Sequence, residues 1–238
     1  MNLDLITAFL RQRLTSPVRM VLLFIAFSFP LIPFAFVPHA PLSLLGANTA
    51  NIALIFAAGV IGQDFSAGVL QLLFARPIKR SEYVFSRWAA SAGFAAALVI
   101  VQILIGGWLL KMRDAAPTGS ELGIFIGENA LLAIGVASVI TLFSALMPGL
   151  GDLALYVIAN VLRGVFSIVS QFLKPSVVYA RIGDEIERFI SPRIDLAAPF
   201  ALHAMPWFSV ISYVSTITLC LALAILIVNR RELSYASG

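Results

Sequence analysis

Long apolar runs alternate with short polar ones along this chain. Six runs reach the roughly 20 residues that a helix needs to cross the hydrocarbon core of a bilayer: 20–38, 42–62, 88–110, 122–147, 153–173 and 207–228. The pattern predicts six transmembrane helices and an all-α integral membrane protein occupying 1–238 as a single unit. No connection has room for a separate folded domain, the longest being 174–206. The first run is expected to be retained. Its apolar core exceeds the roughly 7–15 residues of a secretory signal, and an acid, Asp4, stands in the segment before it.

Two further stretches show helical amphipathic spacing without being apolar enough to span. Residues 3–16 put Leu3, Ile6, Phe9, Leu10 and Leu14 on one face and Arg11 and Arg13 off it. This is the pattern of a helix lying at the membrane interface with its basic residues among headgroups. Residues 176–190, inside the outer segment 174–206, align Val178, Ile182, Ile186, Phe189 and Ile190, with Arg181, Asp184, Glu185 and Arg188 opposite at ion-pairing spacings. That helix is expected to lie on the outer leaflet or over the mouth of the bundle.

Composition agrees with the pattern. The chain is 60% hydrophobic and only 12% charged, against about a quarter charged in a soluble domain, and its mean hydropathy is +0.97. One cysteine, Cys220, rules out an internal disulfide, and the two histidines, His39 and His203, lie far apart at span ends, so no metal site is expected. The net charge of +4 is too small to suggest nucleic acid. Its distribution is more informative. Nine Lys and Arg fall on the side that holds both termini and the 63–87 loop, and the six on the other side are matched by six acids. The positive-inside bias therefore predicts cytoplasmic termini and a cytoplasmic 63–87 loop.

That loop carries the densest charge in the chain: "GQDFSAGVLQLLFARPIKRSEY", Gly62 to Tyr83. Read as a helix starting at Asp64, it gathers Asp64, Ala67, Gly68, Gln71 and Ala75 into a small and polar strip, with Phe65, Val69, Leu70, Leu72, Leu73 and Phe74 on the remaining faces. Such a strip lets another surface approach the backbone. Asp64 would cap the first turn, Pro77 would end the helix after Arg76, and Arg76, Lys79 and Arg80 would sit at headgroup level, with Arg87 in the same basic loop. An anchor to anionic lipid, with no protein partner, fits the same residues.

The string "GQDFSAGVLQLLFARPIKRSEYVFSRW" resembles the loop between spans two and three in ABC transporter permeases of the type-2 drug, polysaccharide and lipid exporter class. The matching features are Asp64, Gly68 with Leu70, Leu72 with Leu73, Pro77 with Ile78 and Arg80, Tyr83, and Arg87 opening the third span. The departures are Asp64 where the family often has Glu, and the bulky Phe74-Ala75-Arg76 before the proline. The resemblance implies an elbow helix at 3–16, a cytoplasmic coupling helix within 63–87 and a re-entrant outer segment before span six. It further implies a separate ABC ATP-binding subunit carrying ATP and Mg, docked through Asp64, Phe65, Gly68, Gln71, Leu72 and Arg76. A second permease chain, identical or not, would complete the path, in a bacterial plasma membrane. The chain itself has no G-x-x-x-x-G-K-[ST] phosphate cradle, so it is expected to bind no cofactor and to be no enzyme.

Two charges stand well inside spans, Glu128 and Arg163, about 9 and 15 Å from the outer ends at 1.5 Å per residue. They are expected either to pair and fix span four to span five or to line a substrate path. Pro30 and Pro33 should kink span one, while Gly93, Gly106, Gly107, Gly123, Gly127 and Gly135 suit close helix packing. A hydrophobic or amphipathic cargo fits the scarcity of polar span residues. An intramembrane enzyme would need a Ser–His pair or paired Asp in the spans, and the sequence offers neither. A membrane scaffold that couples to an ATPase without moving a solute is the other reading.

Overall fold

Nothing between Arg80 and Lys111 interrupts a helix, and this 32-residue element is the longest in the molecule. It turns at 112–118 into a second long helix, whose start at Gly119 is fixed by a capping box. The Thr118 hydroxyl accepts the Glu121 N–H while the Glu121 carboxylate accepts the Thr118 N–H. These two helices form the centre of the bundle. The computed structural model describes residues 3–37, 40–70, 78–172, 177–197 and 207–230. Its helices are α1 (Leu3–Leu14), α2 (Pro17–Ser28), α3 (Ile32–Phe36), α4 (Ser43–Gly46), α5 (Thr49–Ala57), α6 (Gly62–Ser66), α7 (Arg80–Lys111), α8 (Gly119–Leu146), α9 (Gly151–Phe172), α10 (Val177–Ile190) and α11 (Trp207–Arg230).

Among the described residues, six segments are long and apolar enough to cross a membrane: Pro17–Phe36, Ser43–Ser66, Arg80–Lys111, Gly119–Leu146, Gly151–Ser170 and Trp207–Arg230. This is the architecture of a multi-pass membrane protein, and each of the six expected spans is present with its ends shifted by at most four residues, except that span three starts at Arg80, eight residues before its expected start. Span two, built from α4, α5 and α6, packs on both α7 and α8, and these three spans hold most of the buried residues. Span six covers α8 and α7, and span five touches the bundle along α8 and α10.

Two large apolar clusters lie along the bundle, with a third, smaller one at Val139, Leu142 and Cys220. One joins Phe34, Leu45, Ile52, Ile103, Val136 and Ile140. The other, at the end where the 63–87 loop begins, joins Phe9, Phe56, Ile61, Tyr83, Ala224 and Val228. Phe9 of α1 is fully buried there, edge-on to Phe56, which stacks on Phe94. Thus α1 is seated in the bundle through Phe9, while Leu3 and Leu14 stay exposed. At this end, called the loop end below, α1, α6, the start of α7, the turn between α8 and α9 and the end of α11 meet. The 112–118 turn and the start of α11 mark the opposite, far end.

Span one shows the kink its prolines dictate: α2 stops at Ser28, a 3₁₀ turn spans Phe29–Leu31, and α3 resumes at Ile32. Pro30 has no N–H to give to the Ala26 carbonyl. Asn48 Nδ2 donates to that carbonyl instead, and Gln102 Nε2 donates to it at 3.3 Å and to the Phe27 carbonyl at 2.6 Å. Spans two and three thus supply the donors that the kink removes. Of the six span glycines, Gly106, Gly107, Gly127 and Gly135 make close contacts, but Gly93 and Gly123 have no atom near enough to restrict a side chain.

The outer amphipathic segment is helical as expected, but it does not lie over the mouth of the bundle. α10 runs back alongside α9, with Tyr179 stacked near Phe166 at 6.2 Å and Gly183 against the Arg163 carbonyl. It reaches Phe143 of α8 through Phe189 at 6.4 Å. The chain then returns in non-helical form, placing Pro192 against Gly135 and Leu196 against Gly127. From Gly127 to Phe143 is about 24 Å of helix at 1.5 Å per residue. Of the apolar face, Ile190 is buried and Ile186 packs against the core, whereas Val178, Ile182 and Phe189 stay exposed, so the segment enters the bundle at its C-terminal end and keeps an apolar surface along the rest.

Candidate functional site

The loop end is organised around a break in span two. α5 ends at Ala57, Ala58 takes an extended ψ of 127° and Gly59 a φ of +65°. A residue with a Cβ would be strained at Gly59. The break frees backbone groups that water cannot reach, and side chains from four other elements take them up. Asp152 Oδ2 accepts the Gly59 N–H at 2.5 Å. Ser144 Oγ accepts the N–H groups of both Ile61 and Gly62, at 3.0 and 2.9 Å. The Ala58 carbonyl, which a continuous helix would satisfy with Gly62, accepts Arg13 Nη1 at 2.5 Å and Arg19 Nη2 at 3.4 Å. Gly62 lies so close to the α8–α9 turn that an added Cβ would sit 2.6 Å from the Met147 carbonyl oxygen, and its own carbonyl accepts the Gly149 N–H at 2.7 Å.

Beside this break lies a buried ion pair. Asp64 Oδ2 accepts Arg87 Nη2 and, at 2.5 Å, the Tyr83 hydroxyl; the two charged side chains are 6% and 8% exposed. The Arg87 and Arg13 guanidiniums both lie over the Phe9 ring, at 4.9 and 4.8 Å, so the ring faces two cations. Burial, with Arg19 and Arg87 close by, pushes Arg13 down to about 9, and it is still charged at neutral pH. Three guanidiniums and two carboxylates therefore share one buried site, which ties α1, span one, span two, span three and span five together. Span six joins through Arg80 Nη1, which donates to the Val228 and Asn229 carbonyls at 2.9 Å each.

Several expectations change here. Asp64, expected on an exposed docking strip, points into the bundle because Arg87 and Tyr83 neutralise it there. Arg87, expected at headgroup level, is its buried partner. Arg13, expected off the apolar face of α1, is buried with it. The helix expected from Asp64 to Arg76 is interrupted: α6 ends at Ser66 and Gly68 has a φ of +67°, a left-handed value that no α-helix contains. Phe65 is half-buried against the loop-end cluster, whereas Ser66, Ala67, Gly68 and Val69 are exposed. Lys79 is exposed at the N-cap of α7. Gln71, Leu72 and Arg76 lie outside the described residues.

Glu128 and Arg163 do not pair. Glu128 Oε1 accepts the backbone N–H groups of Leu196 and Ala197 at 2.8 and 3.2 Å, supplying the acceptor that the non-helical return segment lacks. Arg163 bonds Glu187 of α10 at 3.2 Å, and Arg193 bonds the other oxygen of Glu187 at 2.7 Å. The re-entrant segment comes between the two expected partners. It also opens a cavity of about 850 Å³ between α8, α10 and α11, reached from the far end. Glu128, Asn129, Asp184, Glu187, Tyr213 and Thr216 are among its lining residues. Charged side chains at the depth of a span are tolerated where they meet partners or water, and this cavity provides both.

The sequence carried a signal for one missed residue: Asp152 follows "PGLG" directly, one position before the expected start of span five. Ser144 and Gln102 had none, since a single polar residue in an apolar run looks alike whether it faces another span or a groove. Compared with known proteins, the chain matches no family model and no curated protein.

Proposed function

We propose that this chain is the membrane-spanning subunit of an ATP-driven exporter, with α1 as the elbow helix and the 63–87 loop docking a separate ATP-binding subunit on the cytoplasmic side. The observation that carries this reading is the base of the loop. Asp64 and Arg87, which stand at the two ends of the stretch resembling a coupling loop, are paired in a buried site, while the residues just beyond Asp64 are exposed. A loop anchored only to lipid has no use for such a clamp. A loop that receives force has: a push on it is transmitted through Asp64, Arg87, Asp152, Arg13 and Arg19 to four spans and α1 at once. The far-end cavity favours transport over scaffolding, because a scaffold needs no polar volume at the depth of its spans. ATP and Mg²⁺ belong to the docked subunit in this reading, and a second permease chain completes the path.

The test is copurification. The tagged chain, extracted from its native membrane, is expected to bring down a polypeptide that binds and hydrolyses ATP. Gly68→Asn, which adds a side chain yet tolerates the left-handed backbone, should reduce the recovered ATPase several-fold with the chain still folded. Replacing Lys79 and Arg80 with Gln should have the smaller effect. The reverse order would favour the lipid anchor, and full ATPase recovery with Gly68→Asn would remove the docking assignment.

A further inference from the structure

We propose that the far-end cavity binds an organic cation, a molecule with one positively charged centre on an apolar body. This names a cargo class for the exporter reading, and it relies on that reading only for movement, not for binding.

Charge is the first ground. Among the described residues the lining holds four carboxylates, Glu128, Asp184, Glu187 and Asp195, against two guanidiniums, Arg188 and Arg193. Both guanidiniums are engaged, Arg193 with Glu187 and Arg188 with Glu185 at 3.0 Å. Arg163, beyond the wall, is likewise engaged, with Glu187. Among the described residues, Glu128 has only backbone N–H partners and Asp184 has no cation within ion-pairing distance. A carboxylate at the depth of a span with no cation beside it favours any cation that can enter.

Shape and surface narrow the class. The cavity's 850 Å³ lies within the roughly 300–1,000 Å³ typical of small-molecule sites. Phe125, Phe208 and Tyr213 line it along with Leu132 and Ile194, so the carboxylates share the cavity with aromatic and apolar surface. Aromatic faces attract organic cations that shed their water easily. A compact inorganic cation would need a tighter nest of oxygens, and no group of three His, Cys, Asp or Glu among the described residues is placed to hold a metal. Anions meet the wrong sign, and a neutral sugar would leave both carboxylates uncompensated.

Tetraphenylphosphonium and tetraphenylborate test this directly, because they have nearly the same size and shape and opposite charge. Binding is measured by equilibrium dialysis of the purified chain in nonionic detergent, with empty micelles subtracted and no ATPase present. The wild type should bind the cation saturably and the anion at least tenfold more weakly. Glu128→Gln keeps a carbonyl oxygen for the Leu196 and Ala197 amides and therefore the fold; it should weaken cation binding about tenfold, equivalent to about 1.4 kcal/mol. Asp184→Asn, at an exposed position, should weaken it about threefold, and Asp114→Asn, in the exposed 112–118 turn outside the cavity, should leave it within twofold. Added phosphatidylethanolamine that displaces the probe would identify a lipid amine as the source of the cation, and failure to displace it would point to a free molecule. Equal binding of both probes, or unchanged cation binding in both Glu128→Gln and Asp184→Asn, would overturn the proposal. Because no ATPase takes part, that outcome would leave the docking assignment to its own test.

Discussion

Arg87→Leu is expected to destabilise the protein by about 3–5 kcal/mol, the range for a buried charge that loses its partner. Asp64, 6% exposed, would keep only the Tyr83 hydroxyl, with no water to replace the guanidinium. Denaturant titration of the purified chain in detergent measures the loss. The double change Asp64→Leu with Arg87→Leu should recover most of it, since removing both charges of a buried pair is often neutral. That double variant also separates two roles of the pair. If the pair acts only in folding, the recovered protein should still retain the ATPase; if it clamps the loop, ATPase recovery should remain low although stability has returned. A full 3–5 kcal/mol loss persisting in the double variant would show that the site depends on something other than this pair.

Ser144→Ala should have the second-largest effect. One hydroxyl satisfies the amides of both Ile61 and Gly62, and neither has another acceptor once span two has broken. Each buried donor left unsatisfied costs about 1–3 kcal/mol. The removed oxygen is too small to leave a cavity of consequence, so nearly all of the loss would come from these two amides. Hydrogen exchange at Ile61 and Gly62 is expected to accelerate far more than exchange in the middle of α7. Uniform acceleration would mean that Ser144 supports global stability and has no special part in the break.

These two sites show what the chain made legible before its structure was known. The spans were readable because a run of about 20 apolar residues has few other solutions in a membrane protein, and the kink at Pro30 followed from a missing N–H. The partners of buried polar groups were not readable. Asp64 and Arg87 are 23 positions apart, and their pairing depends on how α6 and the start of α7 come together, which periodicity does not report. Asp64 looked like a helix cap because a carboxylate after an apolar run fits that role equally well. The interruption at Gly68 was missed for a related reason: a glycine on a strip of small residues suits both close packing and a left-handed turn. Glu128 and Arg163 were matched as the only charges deep in the spans, and the re-entrant segment that separates them has the same amphipathic pattern as a helix lying on a membrane.

The central claim is that the loop end receives an ATP-binding subunit, and site-specific photocrosslinking tests it most directly. A photoreactive residue is placed at Val69 or Lys79, exposed at the loop end, and at Arg113 or Ser120, exposed at the far end. After irradiation in the native membrane, the crosslinked product is probed with a photoreactive ATP analogue. An ATP-binding polypeptide attached from positions 69 and 79 and absent from 113 and 120 is the predicted result. Attachment from the far end instead, or from neither end while the chain remains folded in the membrane, would contradict the account.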